Sequence, residues 1–257
     1  MNDLVSIVML SHNDSGYLKE SVESVLAQTY TNWELIFLDN SSTDGTISQM
    51  MKYKGKDSRF KIGQMVFSRG KSYNLYTALR STTGRWIAFL NSKDVWEPQK
   101  LEKQIRFMEE HDYAFSYHNY GLIDKDSKQK GIEVTGKSVI TKHDLKKCCW
   151  MGYLTVMYDK TKVHIPAREK IKFNNNYALW LDVAEYADCH LLDESLSWMR
   201  GMYGSLNPFP MKGKFRWRYE VYRVVERMGP LRSLIMTYRN FFYTMVRNLK
   251  YTKRVGC

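Results

Sequence analysis

Three short, almost continuous apolar runs in the first hundred residues constrain the fold of this chain more than any other feature. They occupy residues 4–10, 33–38 and 86–90. Runs of this length, bounded by turn-forming residues, are typical of strands that are buried on both faces of a parallel sheet. A weaker run at residues 60–67 adds a further strand to the same half of the chain.

Helical patterns separate these runs. Leu18 and Val22 begin a set of apolar residues at helical spacing, with Ser15 as the predicted N-cap. Pro98 suits the first turn of a helix that directs Leu101 and Ile105 inward. The alternation of strand and helix predicts an α/β fold with a doubly wound, mostly parallel sheet, in which ligands bind beyond the carboxyl ends of the strands.

The second part of the chain is less regular. We expect a strand at residues 115–117, a loop or hairpin at 121–135, a strand at 153–158, a helix at 177–187 and a short strand pair at 191–200. Because 44% of the residues are hydrophobic, the chain can bury a substantial core.

Positive charge is concentrated towards the C-terminal end. Residues 211–257 carry twelve Lys and Arg against two acids, which accounts for +10 of the net charge of +12. We therefore interpret residues 211–257 as a basic amphipathic helical tail that follows a domain of residues 1–210. Such a helix can lie on an anionic membrane surface, or it can pack on the domain with its basic residues facing water. We expect no nucleic-acid partner, because the tail has no recognition motif for one.

Cysteine spacing argues against a zinc site. None of the four cysteines, Cys148, Cys149, Cys189 and Cys257, forms a CxxC pair, so we expect reduced thiols. No apolar stretch reaches eighteen residues, and the N-terminus lacks the basic start and cleavage site of a signal peptide. These features lead us to expect a cytoplasmic protein.

Polar clusters follow the three strongest apolar runs. They read Ser11-His12-Asn13, Asp39-Asn40-Ser41-Ser42 and Asn91-Ser92-Lys93-Asp94. In a parallel sheet these clusters converge at one edge, where carboxylates and amides can contact a nucleobase and ribose and a cation can neutralise a diphosphate. The alternative is that these residues serve only as caps and turns, since Asn, Asp and Ser are favoured there whatever the function.

Three segments together resemble a known family. "VSIVMLSHNDSGYLKESVESVLAQTYTNWELIFLDNSSTDGT" closely resembles the nucleotide-binding half of family 2 glycosyltransferases, which have the GT-A fold. "GRWIAFLNSKDVWEPQKLEKQI" resembles their next conserved segment, and "NNYALWLDVAEYADCHLLDESLSWMR" resembles their acceptor-side segment.

The resemblance implies a nucleotide-binding half at residues 1–100 and an acceptor half at 101–210. It also implies transfer of a sugar, with inversion, from a nucleotide diphosphate donor to an acceptor hydroxyl. Many members extend lipid-linked saccharides for surface polysaccharides such as lipopolysaccharide, so we expect a peripheral position on the inner face of the plasma membrane. The nucleotide-binding residues implied are Ser11, His12, Asn13, Asp39 and Asn40.

Two of these positions bear on base recognition. His12 lies where the family places an aromatic residue against the base, although an exposed turn residue is an equal alternative. Asp39-Asn40 occupies the position of an Asp-Asp pair that contacts the base. The second residue is an amide, whose NH₂ group donates where a carboxylate would accept, so the base preference is left open.

The diphosphate side departs from the family. Members carry Asp-x-Asp-Asp, in which one aspartate binds a divalent metal, and Lys93 stands at that aspartate's position. An ammonium has no lone pair for a metal but supplies positive charge to a phosphate. We hypothesise that Lys93 partly replaces the metal. Asp94 either holds Mg²⁺ or Mn²⁺, or pairs with Lys93, or caps the turn. The Arg-Asn pair of the family's preceding helix reads Tyr73-Asn74 in this chain.

The acceptor side departs as well. Asn176 and Trp180 correspond to the acceptor segment, where the family has a carboxylate that acts as general base. Asparagine is not a base at neutral pH. Asp182 and Glu185 lie nearby on the predicted helix, and we interpret both as ordinary solvated charges. The leading prediction is a glycosyltransferase; the alternative is an inactive nucleotide-sugar-binding homologue that acts as a partner protein.

Overall fold

One sheet of eleven strands runs through the part of the chain that the computed structural model describes, residues 3–65, 71–165, 176–201 and 211–255. Its strands are β1 (Val5–Ser11), β2 (Trp33–Asp39), β3 (Phe60–Gln64), β4 (Trp86–Asn91), β5 (Val95–Trp96), β6 (Phe115–Ile123), β7 (Gln129–Val134), β8 (Val139–Ile140), β9 (Met157–Asp159), β10 (Cys189–Arg200) and β11 (Thr252–Arg254). The α-helices are α1 (Ser15–Leu26), α2 (Thr46–Lys54), α3 (Lys71–Arg80), α4 (Lys100–Glu110), α5 (Lys142–Leu145), α6 (Asn176–Val183), α7 (Met211–Glu220) and α8 (Pro230–Tyr251).

The first half of the sheet is parallel. Its order is β4-β1-β2-β3, with β1 central, and every residue of β2 is buried. This burial explains why the strand is read in the sequence as a continuous apolar run rather than an alternating one.

Helices cover both faces of this half. Ile7 of β1 packs on the face that α1 and α4 cover, with Leu18 and Leu101 in the same cluster. Val8 points to the opposite face, where Leu75 of α3 is buried. Alternate residues of one strand thus enter different cores, and the predicted doubly wound α/β architecture is confirmed.

The second half is mainly antiparallel. β9 pairs antiparallel with both β4 and β6, and β7 pairs antiparallel with β6, whereas β10 runs parallel to β6. The expected strand pair at 191–200 is wrong, because β10 is one strand with two register shifts that let it also pair with β5. The expected strand at 153–158 is a 3₁₀ turn, Tyr153–Thr155, followed by β9.

The tail packs on the second half of the domain. A π-helical turn, Val221–Val225, follows α7, and α8 leads into β11, which pairs antiparallel with β7. Packing on the domain was one of the alternatives that the sequence left open, while a boundary at residue 210 stays a prediction. Across the described ranges, each helix falls short of the length or the apolar content that crossing a membrane requires.

Candidate active site

The carboxyl ends of β1, β2 and β4 lie side by side and form what we call the donor edge. Ser11 is the register partner of Asp39, and Leu10 is the partner of Asn91. The predicted convergence of the three polar clusters follows directly from this parallel register. The predicted nucleotide-binding residues therefore lie together at this edge of the sheet; they are Ser11, His12, Asn13, Asp39 and Asn40.

Hydrogen bonds join the loops that follow β1 and β2. Asn13 has a φ of 54°, a left-handed conformation that asparagine adopts more readily than most residues. In that conformation its Oδ1 accepts from the Thr43 N–H at 2.8 Å, and its own N–H donates to the Ser42 hydroxyl at 2.9 Å. These bonds fix the two loops relative to each other.

Asp44 strengthens the same connection. Its carboxylate accepts from the Thr46 hydroxyl at 2.6 Å and from the Ser15 N–H at the start of α1 at 2.9 Å. These bonds, chiefly the one from Thr46, hold the pKa of Asp44 below its usual value. The helix therefore begins under a fixed negative charge, which complements its N-terminal dipole.

His12 presents an exposed imidazole at the donor edge. Its Nδ1 lies 2.8 Å from the Asn40 carbonyl oxygen. A carbonyl can only accept, so Nδ1 carries the proton and the ring is held in one orientation. A held, exposed ring can stack on a base; that role stays a prediction.

Asp39 is fully buried beside it. Its Oδ2 accepts from the Ser42 N–H at 2.9 Å, whereas its Oδ1 has no hydrogen-bond partner among the described residues. Leaving a buried carboxylate oxygen unpaired is costly. The arrangement suits a ligand that brings an N–H donor to this point.

Asn40 offers a hydrogen-bond donor, whereas Asp39 offers an acceptor. Its Oδ1 accepts from Asn74 Nδ2 at 2.7 Å, so the amide oxygen is already bonded and the NH₂ group remains to donate. Asn74 is buried in α3. Asn74, which matches the asparagine of the family's Arg-Asn pair, thus orients Asn40.

Asp14 is a site residue that the sequence reasoning missed. It occupies the N-cap position of α1, so the prediction of Ser15 as the cap is wrong; Asp14 itself makes no capping bond with its side chain. Its Oδ2 instead accepts from the Ser92 hydroxyl and, at 3.3 Å each, from the Ser11 hydroxyl and the His12 N–H. Asp14 therefore ties the loop after β1 to the turn after β4.

Lys93 lies in that turn, two residues beyond the end of β4. Its side chain is exposed and forms no hydrogen bond or ion pair with any other residue in the described ranges. Its carbonyl oxygen accepts from Arg200 Nε at 2.9 Å. The backbone is fixed while the ammonium is free to meet an anion.

Asp94 does not fit a metal site. It is 1% exposed, and its two oxygens accept from Asn91 Nδ2 and from the Arg200 N–H. Burial raises its pKa to about 6. No cluster of three metal-ligating side chains exists among the described residues. The donor set therefore does not support the prediction of Asp94 as a ligand of Mg²⁺ or Mn²⁺. Asp94 also does not pair with Lys93, because its oxygens bind Asn91 and Arg200.

Arg200, at the end of β10, was also missed. Its guanidinium donates to the Asp124 carbonyl and the Ser127 hydroxyl, each at 2.9 Å, and it pairs with Glu20 of α1. It also lies over the Tyr17 ring, 4.7 Å from the centroid. One side chain thus connects the second half of the sheet with α1 and with the Lys93 turn.

The acceptor-side residues separate in the structure. Asn176 is the half-buried first residue of α6. Trp180 is fully buried and packs edge-on against Phe89, with centroids 5.0 Å apart. An acceptor contact does not fit that position, so we correct the prediction for Trp180 to a core residue.

The interpretation of Asp182 as a solvated charge is wrong. It is 2% exposed and accepts from the Tyr76 hydroxyl at 3.1 Å. Glu185 is exposed, as expected, and pairs with Lys142.

Comparison with known proteins places this geometry in a family. Residues 6–152 match the family described as Glycosyl transferase family 2. An Escherichia coli protein named UDP-Glc:alpha-D-GlcNAc-diphosphoundecaprenol beta-1,3-glucosyltransferase WfgD is 38% identical over 184 residues, covering 70% of this chain and 69% of that protein. The Putative teichuronic acid biosynthesis glycosyltransferase TuaG of Bacillus subtilis (strain 168) is 31% identical over 226 residues, covering 88% and 89%.

A solved structure shares the architecture. The crystal structure of S. aureus TarS 1-349 superposes with a TM-score of 0.67 at 16% identity, covering 95% of this chain and 74% of that one. The α/β fold is of the GT-A type seen in that protein. With the match over residues 6–152, these similarities show that the chain belongs to glycosyltransferase family 2.

Proposed function

We propose that this protein transfers a sugar from a nucleoside diphosphate donor to a lipid-linked saccharide, with inversion at the anomeric carbon. The bond from that carbon to the diphosphate oxygen breaks, a bond to the acceptor oxygen forms, and the acceptor proton is released to water. The nucleoside diphosphate is the leaving group.

The proposed donor site rests on one observation: the donor edge has a hydrogen-bond acceptor beside a hydrogen-bond donor. Asp39 Oδ1 is an acceptor without a partner in the described chain, and the oriented amide of Asn40 leaves a donor. Uracil offers an imide N–H beside carbonyl oxygens, which complements this pair. The name of the WfgD relative includes UDP-Glc, so we propose a UDP-sugar as the donor.

Lys93 is the proposed electrostatic catalyst. Its exposed ammonium lies just beyond the end of β4, next to β1, which ends at Ser11; β1 in turn pairs with β2, which ends at Asp39. As the sugar leaves, negative charge grows on the diphosphate, and a positioned cation stabilises that charge more than it stabilises the bound donor.

The acceptor proposal rests on relatives and on chemistry. WfgD is named for a diphosphoundecaprenol-linked saccharide, and TuaG for teichuronic acid biosynthesis. A polyprenol chain stays in the bilayer, so an enzyme that uses it works at the membrane surface. We propose a cytoplasmic protein, peripheral on the inner face of the plasma membrane, that contributes to a surface polysaccharide.

One observation favours a second candidate, an inactive nucleotide-sugar-binding partner protein. Asn176 provides an amide where the family has its base, and both oxygens of Asp94 are engaged within the protein. This candidate keeps the donor edge and loses turnover.

Radiolabelled transfer separates the two candidates. Purified full-length protein is incubated with UDP-sugars and a synthetic GlcNAc-diphospho-lipid, with Mn²⁺ or with EDTA, and UDP binding is measured by calorimetry. We expect transfer that survives EDTA. UDP binding without transfer supports the inactive partner, and failure to bind any nucleoside diphosphate contradicts the donor edge itself.

A variant pair tests the role of Lys93. Because its side chain is exposed, Lys93→Ala should leave the fold intact and lower turnover by about 10- to 100-fold. Lys52→Ala, an exposed lysine of α2, is the control. Equal turnover in the two variants contradicts the proposal.

A further inference from the structure

Helix α8 turns its apolar side away from the protein. Six large side chains, which we call the α8 stripe, are between 55% and 79% exposed. They are Leu231, Ile235, Tyr238, Phe242, Met245 and Leu249. Their spacing alternates between four and three residues, so they form one continuous line along the helix. An exposed apolar surface of this extent marks an interaction site.

The side of α8 that faces the domain is mainly polar; of its four buried residues only Met236 is apolar. Ser233, Thr237 and Asn240 are buried, at most 2% exposed. The Thr237 hydroxyl donates to the Ser233 carbonyl at 2.7 Å, and the Thr244 hydroxyl donates to the Asn240 carbonyl at the same distance. Most of the large apolar side chains of α8 therefore lie on its outer side, whereas the usual amphipathic helix turns them inward.

Specific contacts hold this reversed orientation. Asn240 Nδ2 donates to the hydroxyls of Tyr177 and Tyr222, at 3.3 and 3.1 Å. Tyr177 belongs to α6 and Tyr222 to the π-helical turn. Arg247 donates to the Cys149 carbonyl, and β11 anchors the end of α8 to the sheet. The outward stripe is thus fixed by the fold and is not a loosely attached helix.

Charge identifies what the stripe contacts. Residues 230–255 contain six Lys and Arg and no Asp or Glu. Two copies of α8 packed through their stripes would bring like charges together, which disfavours self-association. An anionic lipid surface instead attracts a segment whose charges are all positive, while its acyl region receives apolar side chains.

We propose that the α8 stripe is the membrane-docking surface of this protein and inserts into the interface of an anionic bilayer with the helix lying along the surface. The helix rises 1.5 Å per residue, so the stripe extends over about 27 Å. Bonds from Asn240 connect the docked helix to α6, whose first residue is Asn176. Docking therefore holds the acceptor-side helix at a fixed height above the lipid.

This inference extends the proposed function, because a lipid-linked acceptor lies in the same bilayer. Sedimentation of the full-length protein with phosphatidylcholine vesicles that contain one quarter phosphatidylglycerol tests it without donor or acceptor. We expect binding at low salt that weakens as salt rises, and at least tenfold weaker binding to vesicles of pure phosphatidylcholine.

A matched pair of variants locates the surface. Ile235→Glu with Phe242→Glu should lower the vesicle partition coefficient at least tenfold. Met51→Glu with Tyr186→Glu changes two side chains outside α8 of similar exposure, 53% and 51%. This pair should leave the vesicle partition coefficient unchanged. Circular dichroism checks that each pair is folded.

Two results overturn the proposal. One is equal vesicle binding by the two variant pairs. The other is absence of vesicle binding together with a dimer, seen by light scattering, that the α8 pair converts to a monomer; a second copy would then be the occupant. Vesicle binding without sugar transfer contradicts only the proposed function. Sugar transfer together with either of the two results above contradicts only the docking surface.

Discussion

The donor edge and the inner side of α8 both bury polar groups, but they bury different kinds. At the donor edge the buried groups include the carboxylates of Asp39 and Asp94, together with the nearby Arg200 guanidinium. Under α8 they are hydroxyls and an amide, from Ser233, Thr237 and Asn240. Among the buried side chains of these two regions, charged groups thus lie beside the candidate site and neutral polar groups lie on the inner side of α8.

This difference has a physical basis. A buried charge that loses its partner is left unpaired at high cost, whereas a neutral group loses about one hydrogen bond. Regions that must present charge to a ligand need buried charges to hold them. A docking interface needs no buried charges. Substitutions in the two regions should therefore differ in the size of their effects and in how those effects depend on pH.

The largest effect is expected for Arg200→Ala. The change removes bonds to the Lys93 carbonyl, the Asp124 carbonyl and Ser127, and it leaves Glu20 without its cation. We expect the free energy of unfolding in urea to fall by about 2–4 kcal/mol, because several hydrogen bonds from a charged donor are lost while the Glu20 carboxylate keeps access to water.

Arg106→Ala is the matched control for Arg200→Ala. Arg106 is an exposed arginine that pairs with Glu102 four residues earlier on α4, so its loss should cost less than about 1 kcal/mol. A similar loss in both variants would mean that the Arg200 contacts do not hold the edge together.

The next effect concerns the pH dependence of stability. Burial raises the pKa of Asp94 from its ordinary 3.8 to about 6. Between these values the folded protein binds more protons than the unfolded chain, so this residue makes stability fall as pH rises from about 4 to 6, by ~3 kcal/mol in all. Asp94→Asn should remove that part of the slope in urea titrations from pH 4 to 7; an unchanged slope contradicts the assignment.

A smaller effect is expected for Asp39→Asn. An amide keeps an acceptor for the Ser42 N–H, but it places a donor where the unpartnered Oδ1 stood. Affinity for UDP, measured by calorimetry, should fall by about 10- to 100-fold, in line with the loss of a hydrogen bond to a charged group. Asp57→Asn, which changes a carboxylate before the amino end of β3, should bind UDP normally.

The smallest effect is expected under α8. Asn240→Ala removes two donated bonds, but Tyr177 and Tyr222 keep their bonds to the carbonyls of Leu145 and Lys146. Unfolding free energy should fall by about 1–2 kcal/mol. Because burial raises the pKa of both tyrosines, the loss should be the same at pH 5 and pH 7.5. A loss that changes between these two pH values would break the contrast with Asp94.

Much of the donor edge could be predicted from the sequence, because a parallel strand that is fully buried leaves a plain apolar run and its polar end must lie beside its neighbours' ends. The positions of Asp39 and Lys93 at this edge were predicted in this way. Arg200 was not, because its partners in α1 and the Lys93 turn are about a hundred or more residues distant in sequence. Only the pairing of β10 with β5 and β6 brings them together.

The orientation of α8 could not be predicted for a different reason. Helical periodicity shows that Ile235 and Phe242 share a side, but it does not say whether that side faces the core. The decision depends on Asn240 and on its tyrosine partners, which come from two other elements. The prediction for Trp180 was wrong because it relied on a family position near the acceptor, and in the fold that position lies in the centre of an aromatic core.

The pairing of β11 with β7 has a consequence for how the protein behaves in a crowded cell. In the described sheet β11 is the outermost strand on its side. It has only three residues, and both Lys253 and Arg254 are exposed. Open strand edges recruit other chains into aggregates, and a short basic edge strand resists this. The C-terminal strand therefore shields the longer β7 from edge-to-edge aggregation.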